Sequence, residues 1–248
     1  ARVDFAYRVF GSAIGFSSFG IGALFLSCLV FPVVTWLSSA ENDRHRRINY
    51  LIHKSFQAHL NLMKFFRVFR FRFHGLEKIP EDKGCMVVAN HPTLIDIVVL
   101  ISLYPDATCI VKKALLKNFF LRGVVQGAGY IPNDESENML DLCKEALDKG
   151  RTLIIFPEGT RTVPGKPIQL KRGASQIAVR LGIPVRLVQI KVTGVMLTKS
   201  HAWYQLTPHL SDFNLVIGDK IDTGSLEFSA IPPSLAARRL TRSIEKSF

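Results

Sequence analysis

Residues 87–100 read VVANHPTLIDIVVL. Two apolar runs enclose a short polar insert, and the insert carries His91 and Asp96. The run CMVVA (85–89) has the length and composition of a strand. Pro92 suits the first position of a helix, where its missing N–H is no loss. The stretch therefore predicts a strand, a turn and a helix from Pro92, with His91 at the helix start and Asp96 about one turn along. An imidazole held at one nitrogen by a carboxylate presents the other as a base. A plain capped helix start would look the same. With seven His and eleven Asp in 248 residues, an H-x4-D pair arises by chance about 0.3 times.

Working outward, strand-like and helix-like segments alternate. ATCIV (107–111) reads as a strand and KKALLKNFFLRG (112–123) as one helix. AGYI (128–131) reads as a short strand, and SENMLDLCKEALDKG (136–150) as a helix closed by Gly150. RTLIIF (151–156) is a strand, GASQIAVRLG a helix, IPVRLVQIKV and FNLVIGD strands, and a basic helix follows from Pro233. This alternation predicts an α/β fold: a mixed, mostly parallel sheet flanked by helices. Ligands of such sheets collect beyond the carboxyl ends of the strands. His91 follows one strand there and Glu158 another.

Glu158 belongs to FPEGTR (156–161). Gly159 lets the backbone approach a ligand closely, and Arg161 could bind a phosphate through a forked pair of hydrogen bonds. Glu158 could bind an acceptor hydroxyl or brace the arginine. Taken alone, the segment is equally a tight turn with a surface ion pair.

The N-terminal part has a different texture. No charged residue occurs from Val9 to Ala40. As one straight helix this run would be about 48 Å long, against a bilayer core of about 30 Å. Gly11, Gly15, Gly20, Gly22 and Pro32 offer places to bend. Ser38 and Glu41 have capping-box spacing for a second helix. Along it Ile48, Leu51, Ile52, Phe56, Leu60, Met63 and Phe66 form a helical stripe. Glu41 to Arg72 holds eight Lys/Arg and two acids, half of the chain's net +12. A basic amphipathic helix beside an apolar one reads as a two-helix membrane attachment, with its basic flank on the cytoplasmic side. The expected division is 1–72 for these helices and 73–248 for the globular domain. Basic and aromatic residues interleave at KFFRVFRFRF (64–73), as in some single-strand binders. No zinc-finger or RRM pattern accompanies them, so nucleic acid is not an expected partner. The four cysteines are scattered without a C-x-x-C pair, which argues against a zinc site.

NHPTLID followed about sixty residues later by FPEGTR resembles the glycerolipid acyltransferase superfamily, whose best-known members are the lysophosphatidic acid acyltransferases. Its first motif, N-H-x-[ST]-x-x-D, is matched by Asn90, His91, Thr93 and Asp96. FPEGTR matches another at all six positions. KKALL (112–116) and LKRGASQIAVRLGIPV (170–185) look like further family segments. The resemblance covers about residues 73–195.

It implies a membrane-associated O-acyltransferase that moves a fatty acyl group from coenzyme A or acyl carrier protein to a hydroxyl of a lysophosphatidic acid-like glycerolipid. It implies His91 as base, Asp96 as its orienter, and Glu158, Gly159, Thr160, Arg161, Lys113 and Asn133 around the substrate. Membrane lipids, and acyl carrier protein as a candidate donor, would be its partners. The location implied is a bacterial inner membrane, with the catalytic domain on the cytoplasmic side. No metal and no bound cofactor are expected. Two departures stand out. Asn133 replaces an arginine that helps hold the acceptor phosphate, and Arg186 falls in a normally apolar segment. Lys113, Arg161 or Arg186 could supply the missing charge. A phosphate-free acceptor, a thioesterase and a non-catalytic membrane-binding protein are the alternatives. The oligomeric state is not legible.

Overall fold

The computed structural model describes residues 2–133, 137–194 and 196–248. It begins with α1 (Arg2–Phe25), a π-helical turn (Leu26–Val30) and α2 (Phe31–Trp36), which form one continuous helix, and then α3 (Glu41–Phe65). Next come β1 (Phe69–His74), β2 (Met86–Ala89), α4 (Asp96–Leu103), β3 (Ala107–Lys112), a 3-10 turn (Lys113–Lys117), α5 (Arg122–Gly127) and β4 (Ile131–Asn133). The rest is α6 (Glu137–Asp148), β5 (Thr152–Ile155), α7 (Gly173–Leu181), β6 (Val185–Val192), β7 (Ser211–Ile221), α8 (Leu226–Ser229) and α9 (Pro233–Glu245).

The seven strands make one sheet in the order β1-β7-β6-β2-β5-β3-β4. All neighbours are parallel except β6 and β7. The sheet is therefore mixed and mostly parallel, as the alternating pattern predicts. Successive residues of β2 serve opposite faces, as strand geometry requires. Val87 and Ala89 join the core beneath α1, α3 and α4, while Met86 and Val88 join the core beneath α6, α7 and α9.

β2 pairs with β5 in parallel, Val88 opposite Ile155. The segments that follow them, with His91 and Glu158, leave the sheet at one edge. Lys113 and Asn133 lie at the same edge, since Lys112 pairs with Asn133 at the ends of β3 and β4.

Several local expectations are corrected. The helix after His91 starts at Asp96, not Pro92. Asp96 accepts from the Thr93 N–H and hydroxyl, which turns 92–95 into a tight bend and leaves Asp96 in the first helical turn. Ser38 and Glu41 form no capping box. α3 is preceded by Ala40, which has no side-chain acceptor, and the Ser38 hydroxyl is buried without a partner. KKALLKNFFLRG is not one helix, because Asn118 Oδ1 accepts from the N–H groups of Phe120 and Leu121 and starts α5 anew. Gly11 and Gly15 pack rather than bend: a Cβ there would fall 2.1 Å from Phe66 Cβ and 2.7 Å from Met63 Cε. The irregularity is the π-helical turn just before Pro32, where a proline's missing N–H and ring disturb the ladder. The apolar stripe of α3 is not free: Ile48, Ile52, Leu60 and Met63 are buried in the core shared with α4.

Candidate active site

The sheet ends at Ala89, and Asn90 makes the exit. Its amide donates to Ile190 O (2.8 Å) and accepts from Ile190 N–H (2.7 Å). This side chain imitates one more strand pair with β6 and fixes where the chain leaves the ladder. His91 comes next.

Asp96 is fully buried. Its Oδ2 lies 2.8 Å from His91 Nδ1 and accepts from Thr93 N–H at 2.7 Å, and Oδ1 takes the Thr93 hydroxyl. A carboxylate on Nδ1 favours the tautomer with the proton there, which leaves Nε2 as the free base. The His91 side chain is 20% exposed. Burial pushes the Asp96 carboxyl above its ordinary value, while hydrogen bonds from His91 and Thr93 pull it back.

FPEGTR and the Thr162 that follows it hold His91 in three ways. The Phe156 ring stacks on the imidazole, with centroids 4.2 Å apart and planes at 20°. Glu158 Oε1 accepts from His91 N–H (2.8 Å) and from the Thr162 hydroxyl (2.7 Å). Thr162 N–H donates to His91 O at 2.7 Å. Both main-chain polar groups of His91 are therefore held by one loop. Each such bond contributes about 1 kcal/mol net, and more where a carboxylate accepts. Neither Phe156 nor Thr162 is singled out for this role from sequence. The register carries a signal, however: Val88 faces Ile155, so Phe156 must lie near the exit to His91.

The other expected residues fall into place unevenly. Glu158 is engaged with His91 and Thr162 rather than with Arg161. Arg161 uses Nη1 on the carbonyls of Leu197 (2.9 Å) and Thr198 (2.7 Å). Leu197 O also accepts from Leu94 N–H, so residues 197–198 tie the two motif loops together. Gly159 has φ +66°, and a Cβ there would lie 3.2 Å from Lys171 Cε and Nζ. Lys171 therefore crosses the space its missing side chain leaves. Thr160, Lys113 and Asn133 are exposed at the same edge. Arg186 is not at this edge at all. It is buried near the start of β6, paired with Asp82 at 2.8 Å, and cannot supply charge to a ligand beside His91. Among the described residues no three His, Cys, Asp or Glu side chains gather as metal ligands.

Residues 70–191 match the family model described as Acyltransferase. A 1-acyl-sn-glycerol-3-phosphate acyltransferase of Helicobacter pylori is 37% identical over 121 residues, 45% of this chain and 51% of that protein. A chloroplastic 1-acyl-sn-glycerol-3-phosphate acyltransferase of Brassica napus is 29% identical over 158 residues, 61% of this chain and 45% of that one. The chain thus spans about half the length of these curated relatives. The crystal structure of the 1-acyl-sn-glycerophosphate (LPA) acyltransferase PlsC from Thermotoga maritima shares the fold, with a TM-score of 0.65 and 23% identity over 98% of this chain and 94% of that one. From β1 to β6, with both of its motifs on one sheet edge, the chain carries a segment of the acyltransferase family.

Proposed function

We propose that the protein transfers a fatty acyl group from a thioester to a hydroxyl of a lysophosphatidic acid-like lipid. The observation that carries this reading is the fixed His91: its Nδ1 sits on a buried carboxylate, its main chain is clamped by Glu158 and Thr162, and among the described residues Nε2 has no hydrogen-bond partner. Nε2 takes the proton from the acceptor hydroxyl as that oxygen attacks the thioester carbonyl. A C–O bond forms and the C–S bond then breaks. The proton on His91 passes to the departing thiolate, so the products are an ester and a free thiol. Asp96 holds the tautomer and supports the transient imidazolium.

The N–H groups of His91, Thr93 and Leu94 are already engaged within the protein, and Pro92 has none. Donors to the tetrahedral oxyanion are therefore not these amides. Arg161 and Lys113 are among the cations of this edge that can attract a phosphate, and the names of the relatives favour an acceptor that carries one.

The helix Arg2–Trp36 spans about 52 Å at its usual rise. Its inner face is packed on the domain from Gly11, against Phe66, to Phe31, against Gly127. A helix covered on one side along its length cannot cross a bilayer without drawing the domain in. It fits a membrane surface instead, with Phe10, Ile21, Phe25, Leu29, Val33 and Trp36 facing the lipid. The basic polar face of α3 suits an anionic leaflet on the cytoplasmic side.

The test is acyl transfer in mixed micelles, with lysophosphatidic acid or a phosphate-free monoacylglycerol as acceptor and acyl-CoA or acyl carrier protein as donor. Thiol release that depends on lysophosphatidic acid is expected. Release indifferent to any acceptor would mean a thioesterase, and no release with either donor would remove the enzymatic reading.

A further inference from the structure

Two exposed aromatic loops flank the N-terminal helix at the sheet edge that carries His91. One follows β3: Phe119 is 65% exposed, Phe120 47%, and their rings meet edge to face. Asn118 fixes the turn that presents them. The other lies between β6 and β7. There Trp203 and Tyr204 are 41% and 54% exposed, also edge to face.

Both loops touch one face of α1. Ser12 Oγ donates to Trp203 O at 2.7 Å, the Phe16 ring lies 6.3 Å from that of Trp203, and a Cβ on Gly20 would sit 3.9 Å from Phe120 Cδ1. Ser12, Phe16 and Gly20 are spaced four apart and line a single stripe. Arg8, fully buried, pins the helix to the second loop through the carbonyls of Thr207, Pro208 and His209. The helix is therefore packed against both loops and hydrogen-bonded to the second.

The charge pattern is one-sided. Residues 107–133, around the first loop, hold Lys112, Lys113, Lys117 and Arg122 and no acid. The guanidinium of Arg122 lies over the Phe119 ring at 5.9 Å. Residues 193–211, around the second loop, also lack any acid, and so does the helix from Val9 to Trp36. Aromatic side chains ringed by Lys and Arg, continuous with an apolar helix, match the chemistry of an anionic lipid interface.

We propose that the Phe119–Phe120 and Trp203–Tyr204 loops insert into the same leaflet as the N-terminal helix, so that the His91 edge faces the bilayer. This rests on the membrane attachment proposed above. With three contacts instead of one, the domain is held in a fixed orientation, and a lipid acceptor reaches His91 without leaving the interface.

The chain has two tryptophans, Trp36 and Trp203, so Trp36→Phe leaves Trp203 as the sole reporter. This variant is bound to vesicles of phosphatidylcholine and phosphatidylglycerol that contain chain-brominated lipid. Trp203 emission should fall by about half or more and be shielded from aqueous acrylamide, as expected at the interfacial depth of aromatic side chains. A second variant, Phe119→Ser with Phe120→Ser, should lose about tenfold or more in vesicle partitioning while keeping its far-UV circular dichroism and its transfer rate in micelles. Co-sedimentation with unquenched, acrylamide-accessible Trp203, or unchanged partitioning of the double variant, overturns this proposal and leaves the helix attachment standing. A protein that does not co-sediment at all overturns both.

Discussion

Among the described residues two aspartates, Asp82 and Asp96, are fully buried, and they sit at opposite edges of the sheet. Asp82, just before β2, accepts from Arg186 Nε (2.8 Å) and the Tyr104 hydroxyl (2.9 Å), with Lys220 Nζ 3.6 Å away. Asp96, just after β2, accepts from Thr93 and meets His91. Both carboxylates are supplied with donors. The difference lies in the partner. A guanidinium enclosed by Asp82, Glu81 and the carbonyls of Gly218 and Lys78 is a closed brace. An imidazole held on one side keeps a free nitrogen on the other. Nor does open space mark the site. A cleft of about 830 Å³ opens near the starts of β3 and β5, lined by residues such as His45, Asp106, Tyr130 and Arg151, and it includes none of the residues around His91. Breaking the Asp82 cluster should cost folding, and breaking the Asp96 cluster should cost chemistry.

The largest effect is expected at the free nitrogen. His91→Ala removes the base, and kcat for acyl transfer should fall about 10³–10⁴-fold, with an unchanged circular dichroism spectrum. A folded variant that transfers at the parent's rate would falsify the general-base mechanism.

Asp96→Asn comes next and separates the two roles most sharply. The wrong His91 tautomer becomes accessible, so kcat should drop about 10³-fold. The stability effect has the opposite sign. Burial raises the folded-state pKa of Asp96 above its unfolded value. The native carboxyl thus holds its proton longer, and its contribution to stability is fully present below the unfolded pKa and lost as pH rises through the folded one. Asparagine has no such loss. In thermal melts at pH 4 and pH 7 the variant should gain on the parent as pH rises. A variant that instead loses ground between those pH values would show that the hydrogen bonds outweigh burial.

Asp82→Asn is the mirror experiment. Arg186 would be left buried with the exposed Glu81 as its counter-charge. Removing one partner of a buried pair costs about 3 kcal/mol or more, which is roughly 6–12 °C in a chain of this size. Activity per folded molecule should match the parent. Loss of turnover without loss of melting temperature would mean that the brace reaches the chemistry.

The site half of this contrast was more legible in the sequence than the brace. Short apolar runs place β2 and β5, and the two motifs follow both strands, so His91 and Glu158 at strand ends are legible, while their sharing one edge comes from the parallel pairing of β2 with β5. What Glu158 does was not legible, because its partners are the main-chain N–H of His91 and the Thr162 hydroxyl, and no side-chain pairing rule points to a backbone amide. Arg186 was misplaced for a related reason. Its charge reads from sequence as available to a ligand, whereas position 186 is the second residue of β6, at the far edge, and Asp82, 104 residues earlier, neutralises it. The turn at 92–95 escaped because Pro92 satisfies the helix-start rule as well as it satisfies the bend. The tie from Asp96 to Thr93 decides between them.

The smallest changes compare one hydroxyl at each carboxylate. Thr93→Val removes the donor to Asp96 Oδ1 and leaves the Thr93 N–H bond and the His91 contact in place. With less help for its ionised form, the Asp96 carboxyl should rise further, and kcat should fall about tenfold at neutral pH, within the range of a weakened general base. The acid limb of the rate profile should move to higher pH, because Asp96 supports the imidazolium only when ionised. Tyr104→Phe removes the matching donor to Asp82. The loss should be about 1.5–3 kcal/mol of stability, the scale of a hydrogen bond to a charged group, with no displacement of the rate profile. If the acid limb moves with Tyr104→Phe and stays still with Thr93→Val, the division of labour between the two buried carboxylates is the reverse of the one argued from their partners.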